Sequence, residues 1–153
     1  MKTINEKNAT VLNDLIQINN DRVAGYEKAA KETDIKDADL RAVFTNLAAE
    51  SRNNVSALSR YVTRNGEDPA EGTTAKGKIY RAWMDVKATF SGKDRKAILA
   101  SCEYGEDAAQ KAYKEALGED LTTDVRDLIS EQQADLKKSH DKIKRLRDMQ
   151  PSH

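Results

Sequence analysis

Apolar residues recur at intervals of three and four along almost the whole chain, while proline stands only at 69 and 151. That spacing returns a side chain to one face of an α-helix, whereas a half-buried strand needs strict alternation. The pattern predicts an all-α protein made of long amphipathic helices. At 153 residues the chain fits one domain, and one large enough to bury a core without help from a disulfide or a structural metal.

Start and stop signals divide the pattern. Thr3-Ile4-Asn5-Glu6 has the Thr-x-x-Glu form of a capping box and opens a helix with the face Leu12, Leu15, Ile16, Asn19, Val23, Tyr26 and Ala30. Asp37 or Asp39 can cap a second, with Leu40, Val43, Phe44, Leu47, Ser51, Val55, Leu58 and Val62 on its face, stopped by Asn65-Gly66 and Pro69. Glu67 to Lys78 reads as a linker. Ile79, Trp83, Val86 and Phe90 then mark a short helix before Ser91-Gly92, with Trp83 pinning it to the rest. A third long helix carries Ile98, Cys102, Gly105, Glu106, Ala109, Ala112 or Tyr113, and Ala116 to Gly118. Thr122 or Thr123 caps a fourth, with Val125, Leu128, Ile129, Gln132, Leu136, Ser139, His140, Ile143 and Leu146.

The expected bounds are a single domain over 1–148, with long helices at about 4–33, 38–64, 94–117 and 123–148, a crossover helix at about 76–90, and a tail at 149–153. Short loops make the first and last pairs antiparallel hairpins, and the long middle connection permits a crossover. Two hairpins joined in this way have the connectivity of a ferritin-like antiparallel four-helix bundle with a short extra helix in the crossover.

Twenty-six basic and 26 acidic side chains cancel, so no overall field draws the chain to nucleic acid or anionic lipid. The segments Lys76 to Lys96 and Lys137 to Arg147 are basic, and Glu103 to Asp135 is acidic; such runs suit complementary solvated helix faces. Cys102 is the single cysteine, which removes intrachain disulfides and CxxC sites. The N-terminus has no apolar stretch of the signal-peptide kind, and no run of 18 apolar residues spans a membrane. The expectation is a cytoplasmic protein.

Polar residues inside the apolar stripes carry the functional information, because each must be satisfied once buried. Counting from the hairpin turn near residue 35 sets Asn19 to Arg22 beside Glu50. Counting from the turn near residue 120 sets Glu106 beside Gln132 and Gln133. Level hairpins would then give one polar core layer of Asn19, Glu50 or Ser51, Glu106 and Gln132. Glu106 is the most pointed of these, and Asn19, Gln132, Tyr26 or Arg22 could satisfy it in a register-fixing layer. The other reading is a carboxylate metal site of the di-iron or di-manganese kind, which takes Glu from two helices and Glu-x-x-His from two more. Here Asn53 follows Glu50 at the third position, and Ala134 and Lys138 stand three residues beyond Glu131 and Asp135. Only His140 and His153 are available as imidazoles, so the full motif cannot be assembled. His140 could pair with Glu103 or Cys102 on the neighbouring helix.

Leu12-Asn13-Asp14-Leu15-Ile16, Asn19-Asn20-Asp21-Arg22, Gly25-Tyr26-Glu27-Lys28-Ala29-Ala30, Arg81-Ala82-Trp83-Met84-Asp85-Val86-Lys87 and Cys102-Glu103-Tyr104-Gly105-Glu106-Asp107 together resemble the bacterial ferritin-like family called domain of unknown function 2383. The likeness runs from about Val11 to Arg147. It implies the ferritin-like fold and a bacterial, cytoplasmic protein, and it carries no established activity. Di-iron relatives of that fold imply carboxylates near Glu27, Glu50 and Glu106.

Two functions follow as expectations. The first is a non-enzymatic, stress-associated or interaction protein, open to homo-oligomerisation, with a degenerate metal site and no cofactor, nucleic acid or membrane span. The second is a ferritin-like metal-binding protein or oxidase holding iron or manganese on Glu50 and Glu106, with Glu27 and His140 as further candidate ligands.

Overall fold

The computed structural model describes residues 2–33, 35–74, 77–89 and 95–150. The described residues form five α-helices and one 3-10 turn, with no strand among them: α1 (Ile4–Glu32), α2 (Ala38–Arg64), α3 (Gly77–Thr89), α4 (Arg95–Leu117) and α5 (Thr123–Asp148), with the turn at Ile35–Asp37 leading into α2. Phe90, the Ser91-Gly92 break and the expected start at Asp94 lie outside the described residues, as do Lys76 and His153.

Local chemistry sets the ends. Thr3 Oγ1 accepts from the Glu6 backbone N–H at 3.1 Å and Glu6 Oε1 accepts from the Thr3 backbone N–H at 3.4 Å, so both halves of the capping box are made. At the end of α2, Gly66 takes φ +80°, a left-handed conformation that costs glycine little. The chain folds back there, and Glu67 N–H donates to the Val62 carbonyl at 3.2 Å.

Hydrogen-bond partners show how the long helices run. Between α1 and α2 the pairs are Asn8 with Asn65, Asn19 with Asn54 and Arg22 with Ser51. Between α4 and α5, Tyr113 meets Gln132 and Glu103 meets Arg147. Asn19 and Arg22 of α1 reach Tyr113 and Glu106 of α4, and Glu50 and Asn54 of α2 reach Ser139 and Gln132 of α5. In every pair one number falls as the other rises, so each long helix is antiparallel to both of its neighbours.

The connection from α2 crosses the face made by α1 and α4, held by polar side chains of α1. Asn13 donates to the Asp68 carbonyl and accepts from Ala70 N–H, Asn20 donates to the Gly72 carbonyl, and Asp21 accepts from the backbone and hydroxyl of Thr74. The chain then enters α3, whose Trp83 is wholly buried between α1 and α4. The slot for the indole is lined by two glycines. A Cβ at Gly25 would lie 2.7 Å from Trp83 Cε3, and one at Gly105 would lie 3.0 Å from Cε2 and Cζ2. Glycine allows this approach because it has no Cβ.

The apolar interior falls into two clusters. One gathers Leu12, Leu15, Ile16, Leu58, Val62, Tyr113, Val125, Ile129 and Leu136. The other gathers Tyr26, Leu40, Phe44, Leu47, Trp83, Val86, Leu99, Cys102 and Ile143. Buried polar residues stand between them.

Candidate functional site

Arg22 is the centre of the polar zone. Its side chain is 0% exposed, which for a permanently charged guanidinium demands paired charge and hydrogen bonds. Nε and Nη2 donate to Glu106 Oε1 at 3.1 and 2.7 Å, Nη1 donates to Ser51 Oγ, and Glu50 Oε1 lies 3.5 Å from Nη1. Tyr26 donates its hydroxyl to the same Glu106 oxygen. Burial alone would lower the Arg22 pKa, but the Glu106 carboxylate, with Glu50 behind it, outweighs it and holds it above its ordinary value. Burial pushes the Tyr26 phenol up as well, with the Glu106 charge adding to it. Tyr26 therefore keeps its proton and stays a donor.

Glu106 is equally buried, and its second oxygen, Oε2, has no hydrogen-bond partner among the described residues. Cys102, one turn earlier, is also buried, and its thiol is pushed well up by burial and by Glu106, which makes it a poor nucleophile. Glu50 lies at the margin of the interior. The Ser139 hydroxyl sits 3.1 and 3.0 Å from its two oxygens, and desolvation raises its pKa despite the attraction of Arg22.

A second polar level is built on the Tyr113 hydroxyl. It accepts from Asn19 Nδ2 at 2.8 Å and donates to Gln132 Oε1 at 2.7 Å. Asn54 Nδ2 donates to Asn19 Oδ1 at 3.1 Å, and Gln132 Nε2 donates to the Asn54 carbonyl at 3.4 Å, which closes the ring across all four long helices. The single layer read from the sequence is thus divided in two. Asn19 and Gln132 belong to the Tyr113 level, whereas Glu106 and Glu50 belong to the Arg22 level. The cause is helix geometry: Glu106 and Tyr113 are seven residues apart, about two turns or roughly 10 Å along α4.

The four candidate metal ligands do not converge. Glu50 and Glu106 approach the same cation, Arg22. Glu27 is on the surface, half exposed and paired with Arg52. His140 lies in the groove between α4 and α5, where Nε2 is 2.6 Å from Asp107 Oδ1 and 3.9 Å from Glu103 Oε1. Cys102 is not among its partners. Three contributors escape sequence reading: Asn54, which closes the ring from α2, Tyr113 and Asp107. Tyr113 sits in an apolar stripe and looks like plain core, although a buried phenol needs a partner for its hydroxyl. Asp107 is four residues after Glu103, the spacing of side chains on one helical face, and that was the available signal.

The family described as domain of unknown function 2383 matches residues 7–119. The chain belongs to this family. The matched span holds most of α1 and all of α2 to α4, and with them Arg22, Tyr26, Ser51 and Glu106. No curated protein matches the chain. No helix described is long and apolar enough to cross a membrane.

Proposed function

We propose that this member of the domain of unknown function 2383 family is a ferritin-like antiparallel four-helix bundle whose interior carboxylates are committed to a built-in cation, the Arg22 guanidinium. It acts as a non-enzymatic, stress-associated or interaction protein. The observation that carries this reading is the Arg22 pair with Glu106 at 2.7 Å, both side chains 0% exposed, with Glu50 on the same guanidinium at 3.5 Å. A dinuclear metal centre needs bridging carboxylate oxygens and imidazoles around one space. Here Glu106 Oε1 is saturated by three donors, Arg22 fills the gap between the carboxylates, and His140 is engaged elsewhere. The residues do not fit such a centre.

Ile4, Met84, Tyr104 and Met149 are the large apolar side chains exposed among the described residues, and contact with a partner chain or a second copy would draw on such positions. The alternative, a di-iron type metal-binding protein or oxidase using Glu50 and Glu106, draws on the convergence of those two carboxylates and requires Arg22 to leave. Elemental analysis of protein purified without chelator decides between them. We expect no iron or manganese whose retention depends on Glu106. Stoichiometric metal that is lost in Glu106→Gln and retained in His140→Gln would overturn the proposal.

A further inference from the structure

The geometry points to a mononuclear site for a divalent first-row transition cation in the groove between α4 and α5, formed by Glu103, Asp107 and His140. It is separate from the Arg22 level and stands whether or not that level is inert. Ligand atoms of the three side chains lie within 4.8 Å of one another. Glu103 and Asp107 share one face of α4 through their i, i+4 spacing, and α5 supplies the imidazole.

The surroundings of His140 provide an independent argument. Asp141 Oδ1 lies 3.1 Å from His140 Nδ1, while Asp141 Oδ2 is held by Lys137 at 2.9 Å. In the tautomer with its proton on Nδ1 facing Asp141, the Nε2 lone pair is available to a cation, the arrangement that outer carboxylate partners give metal-bound histidines. Nε2 is itself buried and has no hydrogen bond among the described residues, even though Asp107 Oδ1 is only 2.6 Å away. The two atoms sit side by side without the alignment a shared proton requires. A cation in front of both would satisfy them together. Arg147 holds the other oxygen of Glu103 and leaves Oε1 toward the imidazole.

One imidazole and two carboxylates suit zinc, manganese or ferrous iron better than magnesium or calcium, which favour all-oxygen shells. The groove is open to water: the Asp107 side chain is 62% exposed, against 12% for Glu103 and 18% for His140. Solvent can therefore complete the coordination sphere, and the ion can exchange.

The test is calorimetric titration of Zn²⁺ into the chelator-treated full chain, with Co²⁺ absorption bands as a second readout of nitrogen and oxygen coordination. We expect one saturable site. Asp107→Asn and His140→Gln should each weaken it by more than the roughly 10- to 100-fold typical of losing an outer-shell partner, with the helical spectrum and melting temperature unchanged. Asp107 is exposed, so its replacement separates binding from folding. Absence of saturable uptake, or uptake indifferent to both substitutions, would overturn this site and leave the proposed function standing. Uptake lost in Glu106→Gln but kept in His140→Gln would overturn both.

Discussion

Replacing Arg22 by methionine tests the interior most directly, because it keeps the unbranched stem and removes only the charge and its donors. Glu106 Oε1 would lose two of its three hydrogen bonds, those at 3.1 and 2.7 Å, and the one full charge beside it. Two unit charges about 4 Å apart at an effective dielectric near 20 attract by about 4 kcal/mol. Breaking one side of a buried pair typically costs about 3–5 kcal/mol, so the two figures agree. At about 2–4 °C per kcal/mol for a domain of this size, the midpoint should fall by roughly 6–20 °C. The double variant Arg22→Met/Glu106→Leu removes the orphaned carboxylate along with the cation. It should recover much of the loss, since a buried pair replaced by apolar groups of similar volume is often close to neutral. Thermal and urea unfolding followed by far-ultraviolet circular dichroism would give all four corners of the cycle. A loss under about 1 kcal/mol for Arg22→Met, or strict additivity in the double variant, would refute the reasoning, since contacting buried charges should couple by about 0.5–3 kcal/mol.

Two further outcomes follow from geometry elsewhere. Gly25→Ala should destabilise by up to about 2 kcal/mol in urea unfolding, because a Cβ 2.7 Å from the enclosed indole overpacks the slot by about 1–3 kcal/mol, against a helix-propensity gain of about 1 kcal/mol; a stabilised variant would mean that the slot is not closed. Asp39, held down to about 2 by its hydrogen bonds from Arg95, contributes stability above its unfolded value near 3.9 that fades as pH falls toward 2. The side chain is 61% exposed, so the contribution is at most about 1 kcal/mol. The stability gap between wild type and Asp39→Asn should be full above pH 5 and closed near pH 2, and a gap unchanged at pH 2 would remove the ion pair as its source.

The all-helical class was legible because three-and-four spacing is a local property, and so is the Thr3-Glu6 capping box. The interior was legible in part for the same reason. Asn19, Glu106 and Gln132 interrupt apolar stripes, and a stripe position predicts burial. Which side chain satisfies which is a different matter, because it depends on how α1 and α4 are offset along their axes. The α4–α5 register matters equally: an offset of about two turns sets Gln132 opposite Tyr113 rather than Glu106, and Glu106 meets Arg22 of α1 instead. Arg22 and Tyr26 were among the possible partners of Glu106, but spacing alone could not choose them. The anchoring of the crossover was invisible for another reason. Asn13, Asn20 and Asp21 look like ordinary polar positions of an exposed face until a loop is laid over them.

Trp83 is the only tryptophan in the chain, and the walls of its slot come from Gly25 and Gly105, which belong to helices far apart in sequence. Its emission therefore reads the closure of α1 against α4, while the peptide signal reads helix content. A state in which the helices persist but have drifted apart would look folded to one probe and unfolded to the other. The protein carries its own gauge for separating secondary structure from assembly.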